Sequence, residues 1–284
     1  MAGALAGRTC MVTGATSGVG WAAALELARQ GAETFLIVRD RSRGEAAVER
    51  IMRATGNPEV EALYADLASL DEVREVARRF LELGRPLHVL LNNAGVVNVE
   101  RRETVDGLEE TFAVNHLSHF LLTHLLLERL RASAPARVVN VASDAHRFCS
   151  PLDFDDLQAQ RRYRSMRVYG HSKLANLLFT HELARRLQGT GVTANAMHPG
   201  FVGSALGTNN GWLARLAMRA ARPFVRTPEQ GAETAVWLCT ASELQDESGG
   251  YFRDRRPHAP RSHARDDAAA GRLWAMSERL TGLG

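Results

Sequence analysis

The chain has 284 residues, 45% of them hydrophobic, enough for a sizeable core in one or two domains. Its net charge of +3 comes from arginines interspersed with 32 acidic residues, a solvated-surface pattern that argues against a nucleic-acid partner. Cys10, Cys149 and Cys239 form no metal or redox spacing and fit buried thiols in a reducing compartment. The first eight residues are too short for a signal peptide, and no run approaches the roughly 18 apolar residues of a spanning helix. The expected location is cytoplasmic.

Strand-like and helical segments alternate along the chain. Thr9–Thr13 reads as the first strand and runs into Thr13-Gly14-Ala15-Thr16-Ser17-Gly18-Val19-Gly20. There Gly14 can take a tight turn, Gly18 spares a Cβ where a pyrophosphate approaches, and Gly20 lets helix and strand pack closely. A helix over Trp21–Gln30 follows, closed by Gly31, and its N-terminus offers a site for phosphate. The spacing differs from G-x-G-x-x-G, so the strand–turn–helix context carries the nucleotide-binding expectation.

Thr34–Arg39 is the second strand, with Arg39 placed for the 2′-phosphate of NADP and Asp40 read as pointing away or capping the next helix. NADP(H) is therefore preferred, with NAD(H) allowed. Further strands are expected over Val60–Ala65, Leu87–Leu91, Arg137–Val141, Val192–Met197 and Gly250–Phe252. Helical periods cover Leu70–Leu83, Leu108–Leu130 and Ser165–Leu187, and Thr227-Pro228-Glu229 opens another helix. With no repeat or linker, the expectation is one α/β domain over 1–284. It is a Rossmann-type, doubly wound parallel sheet of about seven strands with helices on both faces.

Lys173 is the one lysine among 35 lysine and arginine residues, four positions after Tyr169. On a helix the two share a face. A site that rejects arginine needs a compact ammonium able to lose a proton. At 4 Å and an effective dielectric of 20 an ammonium favours a phenolate by about 4 kcal/mol, which would lower the tyrosine pKa by up to ~3 units.

Thr13–Gly20, Asp66-Leu67, Asn92-Asn93-Ala94-Gly95, Asn115, Ser143, Tyr169 with Lys173, and Pro199-Gly200 occur in one order across the chain. Together they resemble the short-chain dehydrogenase/reductase family. Val114–Phe120, Tyr169–Asn176 and the stretch from Ala264-Arg265-Asp266 to Leu273-Trp274 resemble its retinol dehydrogenase and WW-domain oxidoreductase branch. Two positions depart from the usual pattern. Ala142 replaces the first serine before the catalytic loop, and Ser204 replaces a threonine that contacts the nicotinamide amide. The sequence also shows no N-terminal anchor of the kind many microsomal retinol enzymes carry.

The resemblance implies roles residue by residue. Asp66 meets the adenine with Leu67 beside it, and Asn93-Ala94-Gly95 line the cofactor. Ser143 holds the substrate oxygen and Tyr169 exchanges a proton with it. Lys173 binds the nicotinamide ribose and lowers the tyrosine pKa. Asn115 holds a relay water. Pro199, Gly200, Val202 and Ser204 cover the nicotinamide. An ordinary turn at 92–95, a helix cap at Asp66 and a core asparagine at Asn115 are the competing readings.

Other features are set aside. His116, His119 and His124 share a helix without a cysteine or acidic partner, so no metal site is expected. His171 has the wrong helical phase, and Cys149 has no identifiable base. Residues 205–226 form a basic amphipathic stretch read as a substrate lid, with membrane-surface contact or plain packing as alternatives. The functional expectation is an NADPH-preferring oxidoreductase acting on the carbonyl or alcohol of a lipophilic small molecule. The alternatives are a non-catalytic NADP-binding sensor or scaffold and a membrane-associated interaction protein. The resemblance also allows a homo-oligomer.

Overall fold

A computed structural model describes residues 3–202 and 226–284. Ser204 and the expected lid, apart from Arg226, lie outside them. Eight strands form one sheet in the order β3-β2-β1-β4-β5-β6-β7-β8. They are β1 Thr9–Thr13, β2 Glu33–Val38, β3 Val60–Tyr64, β4 Val89–Asn92, β5 Ala136–Val141, β6 Val192–Met197, β7 Tyr251–Arg253 and β8 Arg256–Pro257. All neighbours pair in parallel except β7 and β8. The eighth strand, unforeseen in the sequence, closes a hairpin whose two turn residues, Asp254 and Arg255, both have positive φ, as a two-residue type I′ turn requires.

Side chains alternate between two cores. Met11 and Leu90 face one, while Cys10, Val12, Val89 and Leu91 face the other. The first core is completed by helices α3 (Leu70–Glu82), α5 (Ser118–Leu125), α7 (Ser165–Arg186) and α9 (Asp267–Thr281). The second is covered by α1 (Gly18–Arg29), α2 (Arg41–Thr55) and α8 (Pro228–Thr240). Burial on both faces is why the inner strands read as nearly continuous apolar runs.

Helix α9 lies outside the expected elements, and α2 is expected only as the unbounded helix after Asp40. In α2 only Gly44, Ala47 and Ile51 are buried, too thin a stripe to stand out in an arginine-rich stretch. Asp40 does cap it, accepting from Arg43 N at 2.8 Å. The continuous helix expected over Leu108–Leu130 is broken. It becomes α4 (Glu110–Phe112), a π turn (Ala113–Leu117), α5 and α6 (Leu127–Ala132). The π turn lies where Asn115 turns inward to bond a neighbouring loop. Strand order reverses between β1 and β4, which sets the crevice for a ligand at their carboxyl ends.

Candidate active site

Thr13, the last residue of β1, organises the crevice. Its Oγ1 accepts the main-chain N–H groups of Asn93 and Ala94, both at 2.9 Å. Asn93 Nδ2 returns a bond to Thr13 O at 2.8 Å. Gly14 has φ +68°, and a Cβ there would stand 2.9 Å from Ala94 Cα. A Cβ on Gly20 would stand 2.3 Å from Asn93 Nδ2 and 2.5 Å from Gly14 O. Close approach of the turn, the β4 end and α1 therefore demands glycine at both positions. Ser17 opens α1 without a side-chain capping bond, whereas Asp40, Ser69, Thr227 and Asp266 cap α2, α3, α8 and α9. Thr16, Ser17 and Gly18 thus bound a turn at the positive end of the α1 dipole, with Val19 buried behind it. These features fit a pyrophosphate.

Arg39 leaves β2 as an exposed side chain, and its Nη1 lies 3.5 Å from Asp66 Oδ2 beyond β3. Asp66 Oδ1 accepts from Ala68 N at 3.0 Å, and Leu67 is buried. Asp66 therefore does local turn work, while Ser69 caps α3. The second carboxylate oxygen pairs with Arg39 at the same edge of the crevice.

Asn115, Ser143, Tyr169 and Lys173 come from three segments. Asn115 Oδ1 accepts from Val96 N at 2.7 Å, and its Nδ2 donates to Val96 O and Ser172 Oγ, each at 3.0 Å. A Cβ on Gly95 would stand 3.3 Å from Asn115 Oδ1 and 3.6 Å from Lys173 Nζ, so the β4 loop runs between the two. Ser143 lies two residues beyond β5 and caps a 3-10 turn over Asp144–Phe148, accepting from Ala145 N at 3.1 Å. Its side chain also lies near enough to Tyr169 to hold down the pKa of that phenol.

Tyr169 and Lys173 share one side of α7, with Nζ 5.8 Å from the phenol ring centroid. Lys173 is buried and donates to Val141 O at 2.9 Å. The pKa of Tyr169 moves opposite to the expectation. Burial raises it above its ordinary value of 10, only partly offset by Ser143. Burial also brings Lys173 down to about 8. Both charged forms lose water, and the ammonium donates to the end of β5.

Beyond β6, Gly200 has φ +81°, and a Cβ there would meet Arg226 Cδ at 2.6 Å. Arg226 N donates to Phe201 O at 2.8 Å, and Val202 pairs with Arg226 in an isolated bridge. A Cβ on Gly231 would touch Val202 at 2.6 Å and Val19 at 3.0 Å, so the Pro199–Val202 loop meets the glycine-rich turn.

The histidines set aside in the sequence are structural. His116 Nε2 bonds Ser277 Oγ at 2.9 Å, and His119 Nε2 bonds Thr13 Oγ1 at 3.3 Å. Burial brings both pKa values down to about 3. No cluster among the described residues has the make-up of a metal site. His119, set aside in the sequence, and Ser172, not singled out there, brace the site. Each sits within a quoted motif, but hydrogen-bond direction has no one-dimensional signature.

Residues 8–211 match the short chain dehydrogenase family. Retinol dehydrogenase 12 of Mus musculus is 48% identical, covering 98% of this chain and 87% of that protein. Retinol dehydrogenase 13 of Homo sapiens is 46% identical, covering 98% and 85%. The WW domain-containing oxidoreductase of Gallus gallus is 43% identical, covering 97% and 68%. Among solved structures, an uncharacterized protein from Mycobacterium Paratuberculosis superposes with TM-score 0.80 at 36% identity, covering 98% and 94%. The Pseudomonas aeruginosa RhlG/NADP active-site complex has TM-score 0.68 at 30% identity, covering 87% and 94%.

This chain therefore belongs to the short-chain dehydrogenase/reductase family and is an NAD(P)-dependent oxidoreductase acting on alcohol and carbonyl groups. Within the family it falls in the retinol dehydrogenase branch.

Proposed function

We propose that the protein interconverts the carbonyl and alcohol of a lipophilic small molecule, with NADPH preferred over NADH, on one Rossmann-type domain. The observation that carries this reading is the meeting of Ser143 with Tyr169, and of Lys173 with Asn115 beside Gly95, beyond the carboxyl ends of the central strands. When bound, the nicotinamide supplies the hydride in reduction and accepts it in oxidation. Ser143 holds the substrate oxygen, and Tyr169 gives or takes the proton there. A phenol raised above its ordinary pKa stays protonated at neutral pH, which suits donation during reduction. Lys173 contributes a buried cation for the ribose hydroxyls. Both amide donors of Asn115 are taken, so its side chain fixes the π turn beside Lys173.

NADPH preference is supported by the exposed guanidinium of Arg39 at the end of β2, with Asp66 and Leu67 completing that edge. Gly14, Thr16, Ser17, Gly18, Val19 and Gly20 would hold the pyrophosphate, and Asn93, Ala94, Pro199, Gly200 and Val202 would line the nicotinamide half. A lipophilic substrate is supported by Phe148, Met166 and Phe201. These are 90%, 66% and 60% exposed, on the segments that carry Ser143, Tyr169 and Gly200. It is also supported by relatives named retinol dehydrogenases. No helix among the described residues is long and apolar enough to cross a membrane. The free thiols of buried Cys10 and Cys239 support a reducing, cytoplasmic setting.

The test is a panel of aldehydes, steroids and retinoids scored by NADPH oxidation, run beside Tyr169→Phe. Tyr169→Phe should lose turnover and keep NADPH binding. NADPH binding without wild-type turnover on any carbonyl would favour a sensor instead.

A further inference from the structure

Asp144, the residue after Ser143, gathers side chains from several segments. Its carboxylate accepts from Arg147 Nε at 3.0 Å and from Tyr251 OH and Arg253 Nη1, each at 3.1 Å, and lies 3.1 Å from His258 Nε2, which Arg147 Nη2 also meets at 3.0 Å. Its main-chain N–H donates to His198 Nδ1 at 3.4 Å, which leaves the ring proton on Nε2, 3.7 Å from the same carboxylate. Burial opposes the charge, yet Arg147 and the other partners bring the Asp144 pKa down to about 2. The carboxylate is therefore an anion throughout the working range.

The connections have a direction. His198 stands immediately before Pro199-Gly200, and its N–H donates to Phe252 O at 2.9 Å. On the other side, Ser143 cannot move independently of its turn. Its carbonyl accepts from His146 N at 3.2 Å and from the His146 ring at 2.7 Å, while its hydroxyl accepts from Ala145 N. The β7–β8 hairpin has ion pairs of its own, since Asp254 pairs with Arg226 and Arg253. Asp144 adds a bridge between the serine turn and the loop after β6.

We propose that Asp144 and His198 form a clamp that sets the separation between the Ser143 hydroxyl and the Pro199-Gly200 loop. Both are positioning residues for the oxidoreduction. The inference rests on the function proposed above, in which these two segments hold substrate oxygen and nicotinamide. A misplacement of about 1 Å at reacting atoms can cost on the order of 100-fold in rate.

The experiment uses full-length Asp144→Asn, which preserves volume but turns an amide toward two guanidiniums. With a substrate found in the carbonyl panel, kcat should fall about 10- to 100-fold. The kinetic isotope effect on kcat, measured with NADPH deuterated at the transferred position, should rise as hydride transfer becomes limiting. The Kd for NADPH should stay within about threefold, because the residues proposed to hold the pyrophosphate and the 2′-phosphate, Gly14–Gly20 and Arg39, do not include the clamp. A folded variant with unchanged kcat, or with reduced kcat and an unchanged isotope effect, overturns the proposal, since a stability role alone changes only the amount of active enzyme. If Asp144→Asn fails to fold, His198→Gln opens the clamp from the other side and must raise the isotope effect too. Nitrogen NMR of the His198 ring reads the clamp without turnover. The Nε2-protonated tautomer should dominate in the wild type, and the Nε2 resonance should shift in Asp144→Asn as the facing carboxylate is lost, so identical ring signals would refute the clamp. Absence of wild-type turnover, by contrast, refutes only the oxidoreductase reading.

Discussion

Replacing Lys173 by methionine should make the free protein more stable while ending its turnover. The ammonium is 2% exposed and its pKa falls from 10.5 to about 8 through burial. At about 1.4 kcal/mol per pKa unit, keeping the proton in the folded state costs roughly 3 kcal/mol. Below pH 8 both folded and unfolded chains carry the proton, so the whole cost is felt. Between pH 8 and 10.5 the folded chain releases it first, and wild-type stability gains relative to a variant without the amine. Methionine matches the length and flexibility of the stem. It forfeits the bond to Val141 O, worth about 1–2 kcal/mol, but that carbonyl keeps Asn176 Nδ2 at 3.3 Å.

The net gain at pH 7 is therefore about 1–2 kcal/mol, or roughly 2–6 °C in Tm for a chain of this size. Differential scanning calorimetry without cofactor, at pH 7 and pH 9.5, reads both the sign and its pH dependence. The advantage of Lys173→Met should shrink or reverse at the higher pH. A variant less stable at pH 7, or an advantage independent of pH, would refute the claim that burial dominates the lysine.

Arg39→Ala should weaken NADPH binding about 10- to 100-fold, the worth of one to two charged hydrogen bonds, and change NADH binding by less than about threefold. Fluorescence titration with the two cofactors decides it, and equal losses would remove Arg39 from the 2′-phosphate. Gly20→Ala should destabilise the protein by about 1–3 kcal/mol, because its methyl would overlap Asn93 Nδ2 and Gly14 O. It should also raise the Kd for NADPH. A Tm within about 1 °C of wild type, together with unchanged Kd, would show that the turn has room to relax.

Much of this fold is legible because parallel sheets bury both faces. Apolar runs such as Cys10–Val12 and Leu36–Val38 cannot be amphipathic helices, and glycine after the first run marks the turn. Thr227-Pro228 shows the same economy, with the expected helix start realised as a reciprocal capping box with Gln230. The π turn was illegible. Ala113–Leu117 has ordinary helical composition, and only the inward bonds of Asn115 to Val96 and Ser172 show why it departs from helix. The Asp144 cluster was illegible for a related reason. Its partners lie 3 to 114 positions away, and arginine is too common in this chain to mark any one as special.

Spacing placed Tyr169 and Lys173 together but misjudged their electrostatics, and magnitudes explain why. Taking the 5.8 Å from Nζ to the ring centroid as a rough charge separation, an ammonium and a phenolate attract by roughly 3 kcal/mol at an effective dielectric of 20. That attraction alone would lower the tyrosine. Burial acts on each charge separately and removes hydration worth several kcal/mol per ion. In the free protein the second effect wins for both groups, so the phenol keeps its proton and the lysine holds its own only loosely. This pairing suits reduction near neutral pH. In the proposed reaction the tyrosine would be a loaded donor, and the adjacent cation is present at pH 7 yet fades as pH passes 8. A sequence can state that two side chains share a helix face, but the sign of their pKa shifts depends on how much water the remaining chain excludes.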